Sequence, residues 1–344
     1  MRRREFIAVL SGALGHSVLW PLGVRAQQQQ HARTPRVGVL WHAGSAEQEG
    51  IYIAAFRQGM ADHGYVEGQN VIVEHRFPAE MPERFKSMAD ELVALKMDVL
   101  VGAGQPPALA LQRATSTIPI VFATTYDPIG VGLVDNLARP TGNITGLSLP
   151  DLIGKRLELF KQAVPGLLRV AILVNSTNPS YARRYGETVQ ADTTKLGLAV
   201  QVVDVNGPDD IERAFSSIEP EDNLGVASAA DVMFYNERER ITKLALAQRL
   251  PSVFHNEEFV KVGGLLSYGA NVPALFRRSA DYVDKILKGG KPADLPVEEP
   301  TQYRMFVNLK TARMLGLTIS PSFLNFAECD RMNRLLLLAQ SGSR

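Results

Sequence analysis

Asp98 to Gln112 reads DVLVGAGQPPALALQ. Three apolar residues, Val99, Leu100 and Val101, run into Gly102-Ala103-Gly104, and a helical pattern starts behind two prolines. A strand, a glycine turn and a helix in that order open many phosphate-binding crevices. The stretch therefore decides between a dinucleotide-binding protein and one with a smaller pocket. A dinucleotide loop needs a third glycine where helix packs on strand, and backbone N–H groups aimed at phosphate. Here Pro107 stands at that position with Pro106 before it, and neither carries an N–H. The turn also follows the third strand of its series, whereas the fingerprint belongs on the first. Asp127, at the end of the next strand, is the residue placed to bind a ribose hydroxyl. The simpler reading uses proline at the first helical positions, with Gly102 and Gly104 supplying a sharp turn. The positive end of the helix then suits one carboxylate or amide oxygen. An NAD-linked oxidoreductase built on Gly102-Ala103-Gly104 is the alternative.

Outward from this turn the pattern is regular. Arg36–His42 predicts a buried strand, Ile53–His63 a helix stopped by Gly64, and Asn70–Phe77 a second strand. Pro82–Lys96 predicts a helix, DVLVGAG the third strand, Pro106–Thr115 a helix and Ile118–Thr125 a fourth strand. NITGLSL and the helix Gly154–Val164 follow, and a second series opens at Arg169–Asn175. It continues with the helix Tyr181–Leu196, the strand Ala199–Val205, the helix Asp209–Ser217 and GVASAA, Gly225–Ala230. The helix Asn236–Arg249, SVFHN at Ser252–Asn256, and GGLLSYG at Gly263–Gly269 complete it. Val- and Ile-rich strands alternating with helices signify parallel sheets covered on both faces. Two such series predict two doubly wound lobes with a cleft between them. The helix Leu275–Lys288 and the segment YRMFVNLKTARMLGL are too little for a third lobe and are expected to pass back across the pair.

The chain has 344 residues, 45% apolar and 21% charged, as in a folded globular protein. A net charge of +1 offers no clustered basic footprint for nucleic acid. Arg3-Arg4-Glu5-Phe6-Ile7 has the form of a twin-arginine export signal, followed by a short, interrupted apolar stretch from Ile7 to Leu22. Val24-Arg25-Ala26 then offers small residues flanking a cleavage point, so 1–26 reads as a removed signal peptide. Cys329 is the only cysteine, which excludes an intramolecular disulfide and a lipidated cysteine after the signal. A periplasmic location is expected.

Five segments carry a resemblance to a known family. They are FRQGMADHGYVEGQNV (Phe56–Val71), IPIVFATTYDPIGVGLVDNLARPTGNITGLS (Ile118–Ser148), LVNSTNPSY (Leu173–Tyr181), Gly263–Thr301, and VNLKTARMLGLTISP (Val307–Pro321). Lying in order over nearly the whole chain after the signal, they make it resemble the ABC-transporter substrate-binding proteins of the tryptophan/tyrosine transport type. The resemblance implies a type I periplasmic-binding-protein fold: two lobes, about three hinge crossings, and a ligand trapped on closure. It implies lobes of 35–147 plus 272–300 and of 148–271 plus 301–325, with 326–344 a tail. It also implies a monomer without cofactor that captures a small polar or amino-acid-like ligand, aromatic or branched among the options. The ligand would pass to an inner-membrane permease with its ATPase. Ala229-Ala230-Asp231, Thr125-Tyr126 and the residues after Asn325 depart from the family's pattern, which puts the ligand's identity in doubt. A stand-alone sensory receptor is a further alternative. A two-lobed transcription regulator would need a helix-turn-helix where the signal stands.

Candidate contacts lie on loops at strand ends, where open α/β sheets bind ligands. From the first lobe these are Gly44, Ser45, Gly104, Gln105, Thr124, Thr125, Tyr126 and Asp127. From the second they are Asn175, Asn178, Ser228, Asp231, His255, Asn256 and Glu258, with Ser148 and Tyr268 near the crossings. Hydroxyls and amides can bond a carboxylate or a neutral polar group, and Asp231 or Glu258 could pair with an ammonium. Tyr126, Phe234 or Tyr268 could stack on an apolar part. Plainer roles exist for several: Asp127-Pro128 and Asn178-Pro179 form turns, Asp231 caps a helix, and Tyr268 packs at the hinge. No nucleophile elbow, H-E-x-x-H pair or Walker loop is present, and the pairs Glu257-Glu258 and Glu298-Glu299 diverge. The histidines show no metal-site spacing.

Overall fold

Strand residues with period-2 burial on both faces must sit in a sheet sandwiched between helices. Val37, Val39, Val99, Val101 and Val121 are fully buried in one apolar cluster, while Leu40, Leu100, Ile120 and Phe122 are fully buried in another. Each such side chain contributes about 1.5–3 kcal/mol by leaving water. A computed structural model describes residues 33–177, 185, 189, 193–219 and 222–329 of the chain. From Pro35 onward the described residues belong to one compact unit. The expected signal segment 1–26, most of the expected helix Tyr181–Leu196 and the end of the tail lie outside the described residues.

The first sheet has the order β2-β1-β3-β4-β5 with every neighbouring pair parallel. Its strands are β1 (Arg36–Leu40), β2 (Ile72–Arg76), β3 (Val99–Gly102), β4 (Ile120–Tyr126) and β5 (Ile144–Leu149). The second sheet repeats this winding as β7-β6-β8-β9-β10 and adds two strands beyond β10. It is built from β6 (Arg169–Val174), β7 (Ala199–Asp204), β8 (Leu224–Ser228), β9 (Ser252–Phe254) and β10 (Leu266–Ala270). β11 (Tyr303–Val307) pairs antiparallel with β10, and β12 (Glu328–Cys329), at the start of the expected tail, pairs with β11. In each sheet the winding reverses beside the first strand, at β1/β3 and at β6/β8. Ligand crevices form outside the strand ends at such points.

The chain passes between the sheets three times. After β5 it enters the helix Ile153–Ala163, which packs on β9 and β10. After β10 it returns as the helix Val272–Leu287, whose first turn is capped by the Asn271 side chain accepting from the Ala274 N–H. That helix docks on the helix Gly50–Asp62 and on β4. The approach requires glycine at position 59, where a Cβ would lie 2.3 Å from the Arg277 carbonyl oxygen. A bridge between Leu147 and Glu298 then holds the third passage, which leads into β11. The two doubly wound halves are those the sequence pattern predicts, and the three crossings are those the resemblance implies. Among the described residues, no helix is long and apolar enough to cross a membrane.

Local differences matter for the site. β1 ends at Leu40, so Trp41 and His42 lie beyond the strand. The helix expected over Asn236–Arg249 runs from Arg238 to Ala247, and an unforeseen short helix, Val232–Asn236, precedes it. The strand expected over Ser252–Asn256 stops at Phe254, because Asn256 caps an unforeseen helix, Glu257–Lys261.

Candidate functional site

Most backbone donors of the glycine turn after β3 are already spent. The Ala103 N–H bonds the Leu40 carbonyl, the Gly104 N–H bonds that of Gly102, and the Ala108 N–H bonds that of Gly104. Pro106 and Pro107 have none to offer. Gly104 adopts a φ of 105°, and a Cβ there would lie 3.1 Å from His42 and 3.9 Å from Val232 of the second half. The turn is a close inter-half contact and offers no cradle for a pyrophosphate.

Around it the two crevices face each other across a cavity of about 70 Å³. The first half contributes His42 after β1, Gly104 and Gln105 after β3, and Thr124 and Tyr126 of β4. Glu49 and Tyr52 come from the start of the helix Gly50–Asp62. From the second half come Ala230 and Asp231 after β8, Tyr235 of the next helix, and His255 and Asn256 after β9. Val272 and Phe276 of the returning helix close one side. The Tyr52 ring stacks on Phe276 at 4.9 Å and meets Tyr235 at 5.4 Å, and Asn256 Nδ2 donates to its hydroxyl at 3.2 Å. A larger chamber of about 580 Å³ shares His42, Gln105, Pro106 and Asp231 with this cavity. Its wall carries Asn175 and Thr177, with Lys86 and Arg113 as cations.

Charge in the inner cavity is unbalanced towards acid: two carboxylates line it, and no lysine or arginine is among its lining residues. Burial raises the pKa of Asp231, while the neighbouring His42 and the Met233 N–H that it caps at 2.9 Å restrain the rise. Burial likewise raises Glu49, against the pull of the Ala43 N–H at 3.0 Å. For His42 burial works downward, but the Glu80 carboxylate at 2.5 Å, with Asp231 and Glu49, outweighs it and the pKa is raised. His255 has no such partner. Burial, and then the Arg156 guanidinium, lower it to about 3, so it is a neutral ring near pH 7. The lining also includes the start of the helix Gln105–Ala114, which has no acidic residue in its first turn to offset its dipole. The arrangement can hold a cationic group against Asp231 and Glu49 and an anionic group at the helix start. The rings of Tyr52, Tyr126, Tyr235 and Phe276 line the same cavity.

Of the residues expected from sequence, Gly104, Gln105, Thr124, Tyr126, Asp231, His255 and Asn256 meet in this cavity, and Asn175 reaches the outer chamber. Others are elsewhere. Gly44 is exposed, its N–H bonded to Gln48, and the Ser45 hydroxyl serves Glu47. Asp127 is exposed at φ 45° and accepts the Gly130 N–H, a turn role. Thr125, Ser148 and Ser228 are buried within their strands and absent from the cavity wall. Glu258 pairs with Lys261 beside the cavity, and Tyr268 stacks on Tyr303 at 6.1 Å. Phe234 is fully buried in the core, and its neighbour Tyr235 takes the place at the cavity. Asn178 lies outside the described residues. Missed from sequence were His42, Glu49, Tyr52, Tyr235 and Phe276. For His42 the available signal was its position just past the first strand. Trp41 is fully buried, stacked on Phe276 behind the cavity.

A family model for ABC transporter substrate binding proteins matches residues 47–329. A tyrosine-binding protein of Clostridioides difficile is 25% identical over 270 residues, which is 76% of this chain and 75% of that one. The crystal structure of an ABC domain in complex with L-Trp from Streptococcus pneumonia matches with a TM-score of 0.76 at 26% identity. That match covers 85% of this chain and 99% of the other. A 4-hydroxy-tetrahydrodipicolinate reductase of Pseudoalteromonas atlantica is 34% identical over 140 residues, only 37% of this chain and 52% of the reductase.

Proposed function

Because the chain belongs to the ABC transporter substrate binding protein family, we propose that its cavity captures an α-amino acid or a close zwitterionic analogue. It is a solute-binding component of an ABC-type transport system with the type I periplasmic-binding-protein fold. The ligand passes from the cavity to a membrane permease, whose ATPase supplies the energy. The observation that carries the ligand class is the pairing of walls. Asp231, on the second half, lines the same cavity as a helix start with no acidic residue on the first. An ammonium beside the carboxylate and a carboxylate beside the helix start satisfy both at once. Both contacts exist together only when the halves are close, so the ligand shifts the population towards closure.

Size refines the reading. A void that holds benzene measures about 150 Å³, so the present cavity of about 70 Å³ must widen before a whole amino acid enters. A tyrosine or tryptophan ring enters with the halves further apart. Residues 1–26 act as a twin-arginine export signal, and the mature chain works in the periplasm as a monomer. The halves divide as 35–147 plus 272–300 and 148–271 plus 301–325. A thermal-shift screen of the mature protein against amino acids, aromatic acids, purines, sugars and NAD(P) tests the proposal. An amino acid at a hundred times its Kd should add about 2.7 kcal/mol of stability, and N-acetylating it should abolish the shift. Shifts confined to sugars, purines or NAD(P) would overturn the reading.

A further inference from the structure

Between β2 and the helix Pro82–Ala94 the backbone does something costly. Ala79 and Glu80 both take left-handed conformations, with φ of 56° and 61°, although neither is glycine. Consecutive non-glycine residues of this kind persist only where surrounding structure enforces them, and they concentrate at working sites. Here the enforcement is visible. The Ala79 N–H bonds the Ala43 carbonyl and the Glu80 N–H bonds the His42 carbonyl, each at 3.1 Å. The strained turn is thereby stitched to the loop after β1 and aims the Glu80 side chain across the cleft.

The two oxygens of that carboxylate have different partners. Oε2 meets His42 Nδ1 of its own half at 2.5 Å, and Oε1 accepts from Asn236 Nδ2 of the second half at 2.8 Å. A carboxylate only accepts, so it fixes which end of the Asn236 amide faces it. Asn236 ends the short helix that Asp231 begins. Glu80 therefore links a histidine in the cavity wall to the element that presents the cavity's carboxylate. We infer that Glu80 is a clasp between the halves, a positioning residue that holds the cleft shut beside the ligand through His42 and Asn236. The inference rests on the reading of the cleft as a closing ligand site, but its test needs no ligand. The Glu80–Asn236 bond exists only when the halves touch, so removing it shifts the open–closed balance and leaves each half folded.

The test measures the distance between nitroxides attached at Gln69→Cys and Lys243→Cys, both exposed positions in different halves, in a Cys329→Ser background. Asn236→Ala and Glu80→Ala should each raise the ratio of long to short distances about fivefold. Asn236→Asp, which sets two carboxylates face to face, should raise it further. The double variant Glu80→Gln/Asn236→Asp restores an amide–carboxylate pair across the cleft without the His42 ion pair and should bring the ratio well below that of Asn236→Asp alone. A purely structural residue would not be rescued by this exchange. If Asn236→Ala and Asn236→Asp melt like the parent and leave the distances unchanged, or if the swap leaves the ratio as high as Asn236→Asp does, the clasp is refuted. The amino-acid reading would stand untouched by that result.

Discussion

The two halves share one winding, yet they treat their ends differently at the cleft. In the first half the helices after β1 and β3 start at Glu49 and Gly104 with no side chain capping them. In the second half the helices after β8 and β9 start at Asp231 and Asn256, and each side chain accepts an N–H from the turn it opens. Histidine is handled in the same divided way. His42 of the first half sits against Glu80 and is raised, whereas His255 of the second is buried without a carboxylate beside it and falls to about 3. An uncapped helix start favours anions, and a carboxylate in the wall favours cations. Duplicating a fold therefore does not duplicate a site, because polarity is set by a few residues just past the strands.

The contrast between the histidines can be broken with acid, and this is the largest effect expected. His255 titrates at about 3 folded and at about 6.5 unfolded. Above the unfolded value both states are neutral and nothing is lost. Below it the unfolded chain takes up a proton that the folded chain refuses, so stability falls as pH falls. The slope is up to about 1.4 kcal/mol per pH unit, ending near the folded pKa. His42 runs the other way. Its contribution is complete below its unfolded pKa and is lost as pH rises through its raised folded value. Urea titrations of the parent and of His255→Gln from pH 7 to pH 4 separate the two. The variant should lose most of the acid slope; an unchanged slope means that His255 is protonated in the fold.

Next in size is the charge on the second half. Asp231→Asn keeps an oxygen to cap the Met233 N–H, since asparagine is as good an N-cap as aspartate. What it removes is the anion facing the cavity. A hydrogen bond to a charged group contributes about 1.5–3 kcal/mol, so calorimetry should show amino-acid affinity reduced about 100-fold with little change in melting temperature. Equal binding by parent and variant would place the ammonium elsewhere.

Much of this geometry was readable from the chain because it follows from strand periodicity. Once β3, β4, β8 and β9 are recognised, the topology itself carries Gly104, Tyr126, Asp231 and Asn256 to one edge. Residues held by helices were harder. Tyr235 follows Phe234 by one position, a rotation of about 100° on a helix, and only the placement of that helix tells which aromatic meets the cavity. Tyr52 and Phe276 look like core positions because they are core-packed on one side and face the cavity on the other. His42 was hidden by a strand that ends two residues early. Asp127 was misplaced for a different reason, since a turn former and a ligand contact use the same residue type. Glu80 left no trace in the pattern, because its position depends on two left-handed residues that nothing in the local sequence demands.

The smallest predicted effect sharpens the other side of the comparison. Gln105 opens the helix after β3 and lines the cavity. Gln105→Glu keeps the size of the side chain and places a negative charge where the ligand's carboxylate is proposed to lie. Like charges so close disfavour each other, while the helix dipole tempers the cost by accepting an acid at its start. The affinity of a bound amino acid should fall about tenfold, which corresponds to about 1.4 kcal/mol. The decisive control is the matching decarboxylated amine, which keeps the ammonium and lacks the anion. Its affinity should hold or improve in the variant, because only the carboxylate meets the new charge. If amine and amino acid weaken together, the carboxylate does not sit at this helix, and the first half serves the cavity by shape and not by polarity.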